Sequence, residues 1–346
     1  MTDTAPRHSR RGLAVPFLIV GVLLAAWTGW WFWLTDQVET RLTAQVEVLR
    51  QDGWTITHDP VSTTGWPFRT RVSMPQADIL APSGHGVAAP ELVAEASSWN
   101  PGHWVVVVPD GLTLTRADKG RIAIAGDGLR FSISHLRDRF PDLRAEMIRP
   151  TFTPLEGAEP FPIVSAERIQ LETRPHLTDG TASTDELDVL FRLIDARGRP
   201  GGPVEGATRQ GMLSADVEGT IVGASRLQGM DSAGVFAAWT EAGGRFTAVR
   251  GRLKAGDSTA LISSDSLSAR ADGRLQGSLA LTAEQPMAAI AGLARSQSGA
   301  VNRMSAAGAA AATAGSGGRP VDLVVQFRDG RTWLGPFALA PAPRLF

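Results

Sequence analysis

The side chains best suited to chemistry are few and scattered. Six histidines stand in the chain, His8, His58, His85, His103, His135 and His176. A transition-metal site needs several converging ligands, and neither H-x-H nor H-E-x-x-H occurs. His58-Asp59 and His135 near Asp138 come closest to a ligand pair, and two residues of this kind read as solvated turns. The absence of cysteine excludes disulfides, thiolate metal sites, iron–sulfur clusters, a thiol nucleophile and a lipoprotein anchor. There is no Gly-Lys pair to cradle a phosphate, no G-x-G-x-x-G after a strand, no G-x-S-x-G elbow and no S-x-x-K pair. A Ser-His-Asp set built from distant positions leaves no signature of order, and nothing here marks one. The expectation is a non-enzymatic protein with no catalytic residue, no metal and no cofactor.

Charge gives little more. The totals are 34 basic and 35 acidic residues, which argues against a nucleic-acid partner. Residues 135–150 hold Arg137, Arg139, Arg144 and Arg149, interleaved with Asp138, Asp142 and Glu146. The near-cancellation reads as a solvated surface, with a lipid-headgroup or polyanion contact as the sharper alternative. Gly65-Trp66-Pro67-Phe68-Arg69 is more distinctive. The proline disfavours helix at Trp66, so the motif feeds a strand with two aromatics held in place, a pattern expected of a core anchor.

The elements that position these residues begin with the strongest signal in the chain. Residues 1–12 form a basic tail, and residues 13–34 run 22 positions without a charge. At about 1.5 Å per residue that helix reaches about 33 Å, enough for a hydrocarbon layer of roughly 30 Å. Trp27, Trp30, Trp31 and Trp33 crowd its far end, where they read as membrane-interface anchors. Basic residues before the segment and Asp36 and Glu39 after it place the amino terminus in the cytoplasm and the body in the periplasm. A cleaved signal peptide would have a shorter apolar core and a nearby small-x-small site, so an uncleaved inner-membrane anchor is favoured. Residues 35–52 then read as a separate amphipathic helix. Thr35 or Asp36 would cap it, Val38, Leu42, Val46 and Leu49 form its stripe, and Gly53 ends it.

The body, 53–346, reads as mainly β: a long, curved antiparallel sheet with a few short helices. Apolar and polar residues alternate at 112–115, 122–125, 131–134, 275–282 and 323–327. Asp-Gly pairs at 110–111, 127–128, 272–273 and 329–330 suit hairpin turns. Residues 185–196 fit either helix or strand, while 235–242 and 286–295 fit short helices, the second begun by Pro286. Breakers at 197–203 divide the body into candidate halves 53–200 and 204–346, with one continuous sheet favoured over two domains. The Gly/Ala/Ser tract at 296–318 is expected to form a mobile loop.

Several short motifs taken together resemble a bacterial membrane-anchored family, domain of unknown function family 2125. They are the W-x-W at the end of the anchor, Gly53-Trp54, the 65–69 motif, and Trp239-Thr240-Glu241-Ala242-Gly243-Gly244. Asp272-Gly273-Arg274-Leu275-Gln276-Gly277 and the closing Asp329-Gly330-Arg331-Thr332-Trp333-Leu334-Gly335-Pro336 are also similar to it. The resemblance runs from about residue 30 to the end and implies a location and an architecture without an activity. A looser, fold-level resemblance to AsmA-like envelope proteins implies a curled sheet that presents an apolar groove to lipid.

Two functions are expected to compete. In the first, the body binds or conducts phospholipid through a groove lined by Leu275, Leu279 and Leu281 on one strand and Leu323, Val325 and Phe327 on another. The competing expectation for those rows is an ordinary closed core. In the second, the anchored body is a scaffold for envelope protein partners.

Overall fold

The computed structural model describes residues 11–209, 211–227, 234–297, 299–314 and 320–345. Most of the basic tail and residues 315–319 of the small-residue tract lie outside that set.

The chain opens with one helix, α1 (Arg11–Gln51), of 41 residues. The anchor and the amphipathic helix expected as two elements are therefore one rod about 60 Å long. Thr35 does not cap a new helix; its hydroxyl donates to the Phe32 carbonyl at 2.9 Å within the same one. No glycine or proline lies between residues 30 and 50 to break the ladder, so the change from apolar to amphipathic composition leaves the backbone helical. Pro16 sits inside the helix, near its start. The rod stops where Gly53 takes positive φ, with Gly53 N–H donating to Arg50 and Trp54 N–H to Leu49. Residues 15–26 are exposed and almost wholly apolar. Above them, Trp31, Leu34, Thr35 and Val46 are buried, with Val38, Leu42 and Leu49 half-buried between. The amphipathic stripe thus lies against the body.

The body is a single antiparallel ladder in which sequence neighbours are spatial neighbours. Two short strands, β1 (Thr55–Thr57) and β2 (Ser62–Thr64), pair with β3 (Arg69–Leu80), which turns back as β4 (Gly86–Ser97). Four lines follow, each broken once near its middle. They are β5 (Asn100–Val107) with β6 (Leu112–Arg116), β7 (Gly120–Ala125) with β8 (Gly128–Ser134), β9 (Asp142–Ile148) with β10 (Thr151–Pro154), and β11 (Ile163–Ser165) with β12 (Arg168–Thr178). Each piece of a line pairs with one piece of the next, so each line acts as one bent strand. The breaks align across the sheet. Gly111, Arg149 and Asp195 have positive φ there, and hydrogen bonds such as Arg149 N–H to Glu167 and Glu167 N–H to Ile194 stitch the seam. Bulges stacked in register bend a sheet in one place.

The 18-residue β13 (Thr181–Gly198) joins this bent region to the remainder. Its alternation of burial resolves the ambiguity of 185–196 in favour of strand. After a short α2 (Pro203–Thr208) the ladder continues through β14 (Leu213–Val222), α3 (Val235–Glu241), β15 (Arg245–Ala255), β16 (Ser258–Ala269) and β17 (Leu275–Glu284). Helices α4 (Pro286–Arg295) and α5 (Arg303–Thr313) then precede the closing strands β18 (Val321–Arg328), β19 (Arg331–Leu334) and β20 (Phe337–Pro341). The breakers at 197–203 do not interrupt the sheet, because β13 and β14 pair from Glu186↔Val222 to Ala196↔Leu213.

The Gly/Ala/Ser tract, expected to be a loop, contains α5. The Asn302 side chain accepts from Ser305 N–H at 3.1 Å and caps it. Ala306, Ala309 and Ala310 recur at helical spacing and are buried against Ile290, Leu334 and Leu339. Composition obscured this, since alanine favours helix and its small side chain lets the rod lie close to the sheet. The other close approach is between α2 and α4, where a Cβ on Gly292 would overlap the carbonyl of Gly206. Gly292→Ala is expected to lower stability by about 1–3 kcal/mol, the range for overpacking a closed contact. Gly299→Ala, with open space around it, should leave the thermal midpoint unchanged.

Candidate functional site

Alternation gives the bent sheet one apolar face and one that is mostly polar. Following register pairs from strand to strand on the apolar face gives Val72↔Ala94, Ala94↔Val106, Val106↔Phe131 and Phe131↔Ala145. The row continues Ala145↔Leu171, Leu171↔Phe191, Phe191↔Val217 and Val217↔Gly251. It ends Gly251↔Ile262, Ile262↔Leu281 and Leu281↔Leu323. No polar side chain interrupts it between β3 and β18.

The row is not uniformly covered. On one flank, Leu129, Leu193 and Ala196 are buried with Ile122, Ile124, Phe152 and Ile163. On the other, Leu187 and Ile221 pack with the buried Trp239 of α3, whose indole donates to the Val222 carbonyl at 2.8 Å. Between these clusters, Phe131 (38%), Leu171 (43%) and Phe191 (36%) remain exposed. Ala145 stands between Phe131 and Leu171 in register and leaves a notch between two large side chains. The result is an open apolar trough across the middle of the sheet.

The two strands expected to line a groove sit at the covered end of this face. Leu323 and Val325 lie against Ile290 of α4 and the alanines of α5. Leu275, Leu279 and Phe327 pack with Val249, Leu267 and Ala342. Leu281 pairs with Ile262 and Leu323 as the penultimate member of the long row. Of these six positions Phe327 is buried and the other five are half-buried, and all but Leu281 belong to these two clusters. Sequence reasoning identified β8 as a one-sided strand but missed the exposed trio. Phe131, Leu171 and Phe191 are far apart in sequence, and only the register aligns them.

The opposite face is a ladder of cross-strand charges. Glu146 is buried and accepts from Arg130 Nε at 2.6 Å, with Arg168 Nε 3.6 Å from its other oxygen. Arg144 pairs with Glu172, Arg192 with Asp216 and Arg250 with Glu218. The arginine-rich stretch thus joins an ion-pair ladder, and Arg149 pairs with Asp127. A cavity of about 620 Å³ on this face is lined by Arg144, Glu172, His176, Asp188, Glu218 and Arg250, among others. Asp188 accepts from Thr220 Oγ1 at 3.1 Å and lies 2.7 Å from His176 Nδ1. In a hydrolytic triad the histidine stands between carboxylate and hydroxyl. Here the carboxylate stands between the other two, so His176 is not bonded to the hydroxyl it would have to deprotonate. His135 pairs with Asp142 at 2.9 Å rather than with Asp138, and His58 Nδ1 contacts the Asp59 carbonyl. Among the described residues, no group of three or more His, Asp or Glu converges as a metal site.

The tryptophans of α1 do more than end an apolar run. Trp27 Nε1 donates to the Pro67 carbonyl at 2.8 Å and Trp31 Nε1 to the Arg69 carbonyl at 2.8 Å. Trp30 Nε1 is 3.4 Å from the Ser98 carbonyl, and Trp33 lies tilted beside Trp30, their centroids 4.9 Å apart, with its ring exposed. Three indoles therefore fasten the helix to two turns of the body.

The family comparison bears on the whole arrangement. A bacterial family described as "Uncharacterized protein conserved in bacteria (DUF2125)" matches residues 31–343. The chain belongs to that family. No curated protein and no solved structure matches it. The family match begins at Trp31, so it spans the docking half of α1 and the entire ladder.

Two electrostatic outcomes follow. Arg130→Ala leaves the buried Glu146 with one longer ion pair and should cost about 1–3 kcal/mol in chemical denaturation. At the start of β13, the Ser225 hydroxyl and backbone N–H bond Asp185 and hold its carboxyl below the usual range, with Arg139 and Arg226 assisting. A lowered value means that the contribution is present above the ordinary carboxylate pKa and is lost as pH falls through the lowered one. Asp185→Asn should therefore lower the thermal midpoint at neutral pH, and the difference from the parent protein should shrink as pH falls through the carboxylate range, read from thermal unfolding at a series of pH values.

Proposed function

We propose that the protein is a membrane-anchored, non-enzymatic lipid-binding protein of the bacterial envelope, and that an acyl chain lies along the trough at Phe131, Leu171 and Phe191. In this reading residues 13–34 cross the inner membrane with the amino terminus in the cytoplasm, and the body stands in the periplasm. The observation that carries it is the exposure of three large apolar side chains in the middle of an otherwise continuous apolar row. Soluble surfaces rarely expose contiguous apolar area of this kind without a partner. Covering the exposed third or more of each side chain contributes about 1–2 kcal/mol apiece at roughly 25 cal/mol per Å². A flexible acyl chain fits a long shallow row better than a compact polar ligand does. The ladder of paired charges on the other face supports a solvent-facing role there, since its arginines already have carboxylate partners.

The test is site-specific photocrosslinking in the full chain in bacterial cells. A benzophenone side chain at position 131, 171 or 191 is expected to capture phospholipid, detected by mass spectrometry of the adduct. The same probe at 130, 172 or 192, on the polar face, is expected to capture none. Protein adducts from the trough positions without lipid would instead favour a scaffold for an envelope complex. Phe191→Glu should reduce co-purified phospholipid about tenfold or more, because a carboxylate in the row cannot be desolvated by an acyl chain.

A further inference from the structure

The indoles of α1 hold two body turns at a defined height on the helix. The lower turn carries Trp66 and Phe68 around Pro67, and the second carries Trp99 beside Ser98. None of these three rings is in the core, although the 65–69 motif was expected to anchor one with Trp66 and Phe68. They are between 49 and 63% exposed, and Phe68 meets Trp99 edge-on at 6.2 Å. Trp30 and Trp33 add two more exposed rings from the helix side.

Their height decides their surroundings. Because Trp27 is bonded to the Pro67 carbonyl, only residues 13–26 of the apolar segment precede its first hydrogen bond to the body. Those 14 residues rise about 21 Å, roughly 9 Å less than the hydrocarbon layer. A span beginning at residue 13 reaches the far side of the hydrocarbon only near residue 32. The turns bonded to Trp27, Trp30 and Trp31 therefore start below that boundary. We propose that Trp66, Phe68 and Trp99 are immersed in the membrane leaflet that faces the body, and that with Trp30 and Trp33 they form an aromatic collar on which the body stands. This rests on residues 13–34 being the membrane span. Indole and phenyl rings partition favourably to this zone. Arg69, at the edge of the collar and largely exposed, is paired with Glu95 at 3.4 Å. The collar also fixes the trough: β5 starts beside Trp99 and carries Trp104 and then Val106 along the apolar face.

The test uses the natural absence of cysteine. Single-cysteine variants W66C, F68C and W99C of the full chain are spin-labelled in vesicles of phosphatidylethanolamine and phosphatidylglycerol. N100C, beside an intact Trp99, gives a fourth reading with all three rings in place. V22C reports the span, and K119C lies at the opposite end of the β5–β6 line. Collision with oxygen is expected to exceed collision with a water-soluble nickel chelate at 66, 68, 99 and 22, at 100 to a lesser degree, and the reverse at 119. If V22C reads hydrocarbon while 66, 68 and 99 read water, the collar is overturned and the anchor stands. If V22C also reads water, the anchor reading falls with it.

Discussion

Every functional feature of this molecule depends on the register of one antiparallel ladder. Backbone hydrogen bonds fix each strand against the next, and a slip of one residue would exchange the two faces. The row from Val72 to Leu323 is apolar because that register is kept across the bent region and beyond β13. On the reverse face the same register brings Arg130 to Glu146 and Arg192 to Asp216. A buried Glu146 between two arginines makes slippage costly, since it would move a carboxylate into the apolar side. The ion pairs thus act as register pins, whatever their individual contribution to stability.

Coverage of the apolar face is uneven, and the unevenness follows from where helices are inserted. Helices α4 and α5 lie between β17 and β18 and cover that end of the sheet, while α3 places Trp239 over the start of β13 and end of β14. The four bent lines have no helix between them, so nothing of that kind covers Phe131 or Leu171. The trough is what remains between two closed cores. Its ends are short strands: β1 and β2 at one edge, β19 and β20 at the other, an arrangement that limits pairing with other sheets.

The connection between α1 and the body is rigid. A helix that continues unbroken from residue 11 to residue 51, fastened by three indole hydrogen bonds, leaves no hinge between its apolar stretch and the sheet. Orientation of the trough relative to that apolar stretch is then built into the fold.

Local pattern was enough to specify much of this. The 22 uncharged residues, the stripe at Val38, Leu42, Val46 and Leu49, the proline-led helix α4 and the Asp329-Gly330 turn with positive φ at both residues were all legible. Each is set by interactions within a few residues, so composition and spacing carry the information. The joining of two expected helices into α1 was less legible, because capping residues invite a break without requiring one. Alanines at 306, 309 and 310 looked like a loop until a sheet lay beneath them. Whether Leu323 or Phe191 faces solvent could not be read from either strand, since each is an apolar residue in an apolar-rich run. That depends on which element packs above, and only the tertiary structure decides it: helices cover Leu323, and the middle of the sheet around Phe191 stays open.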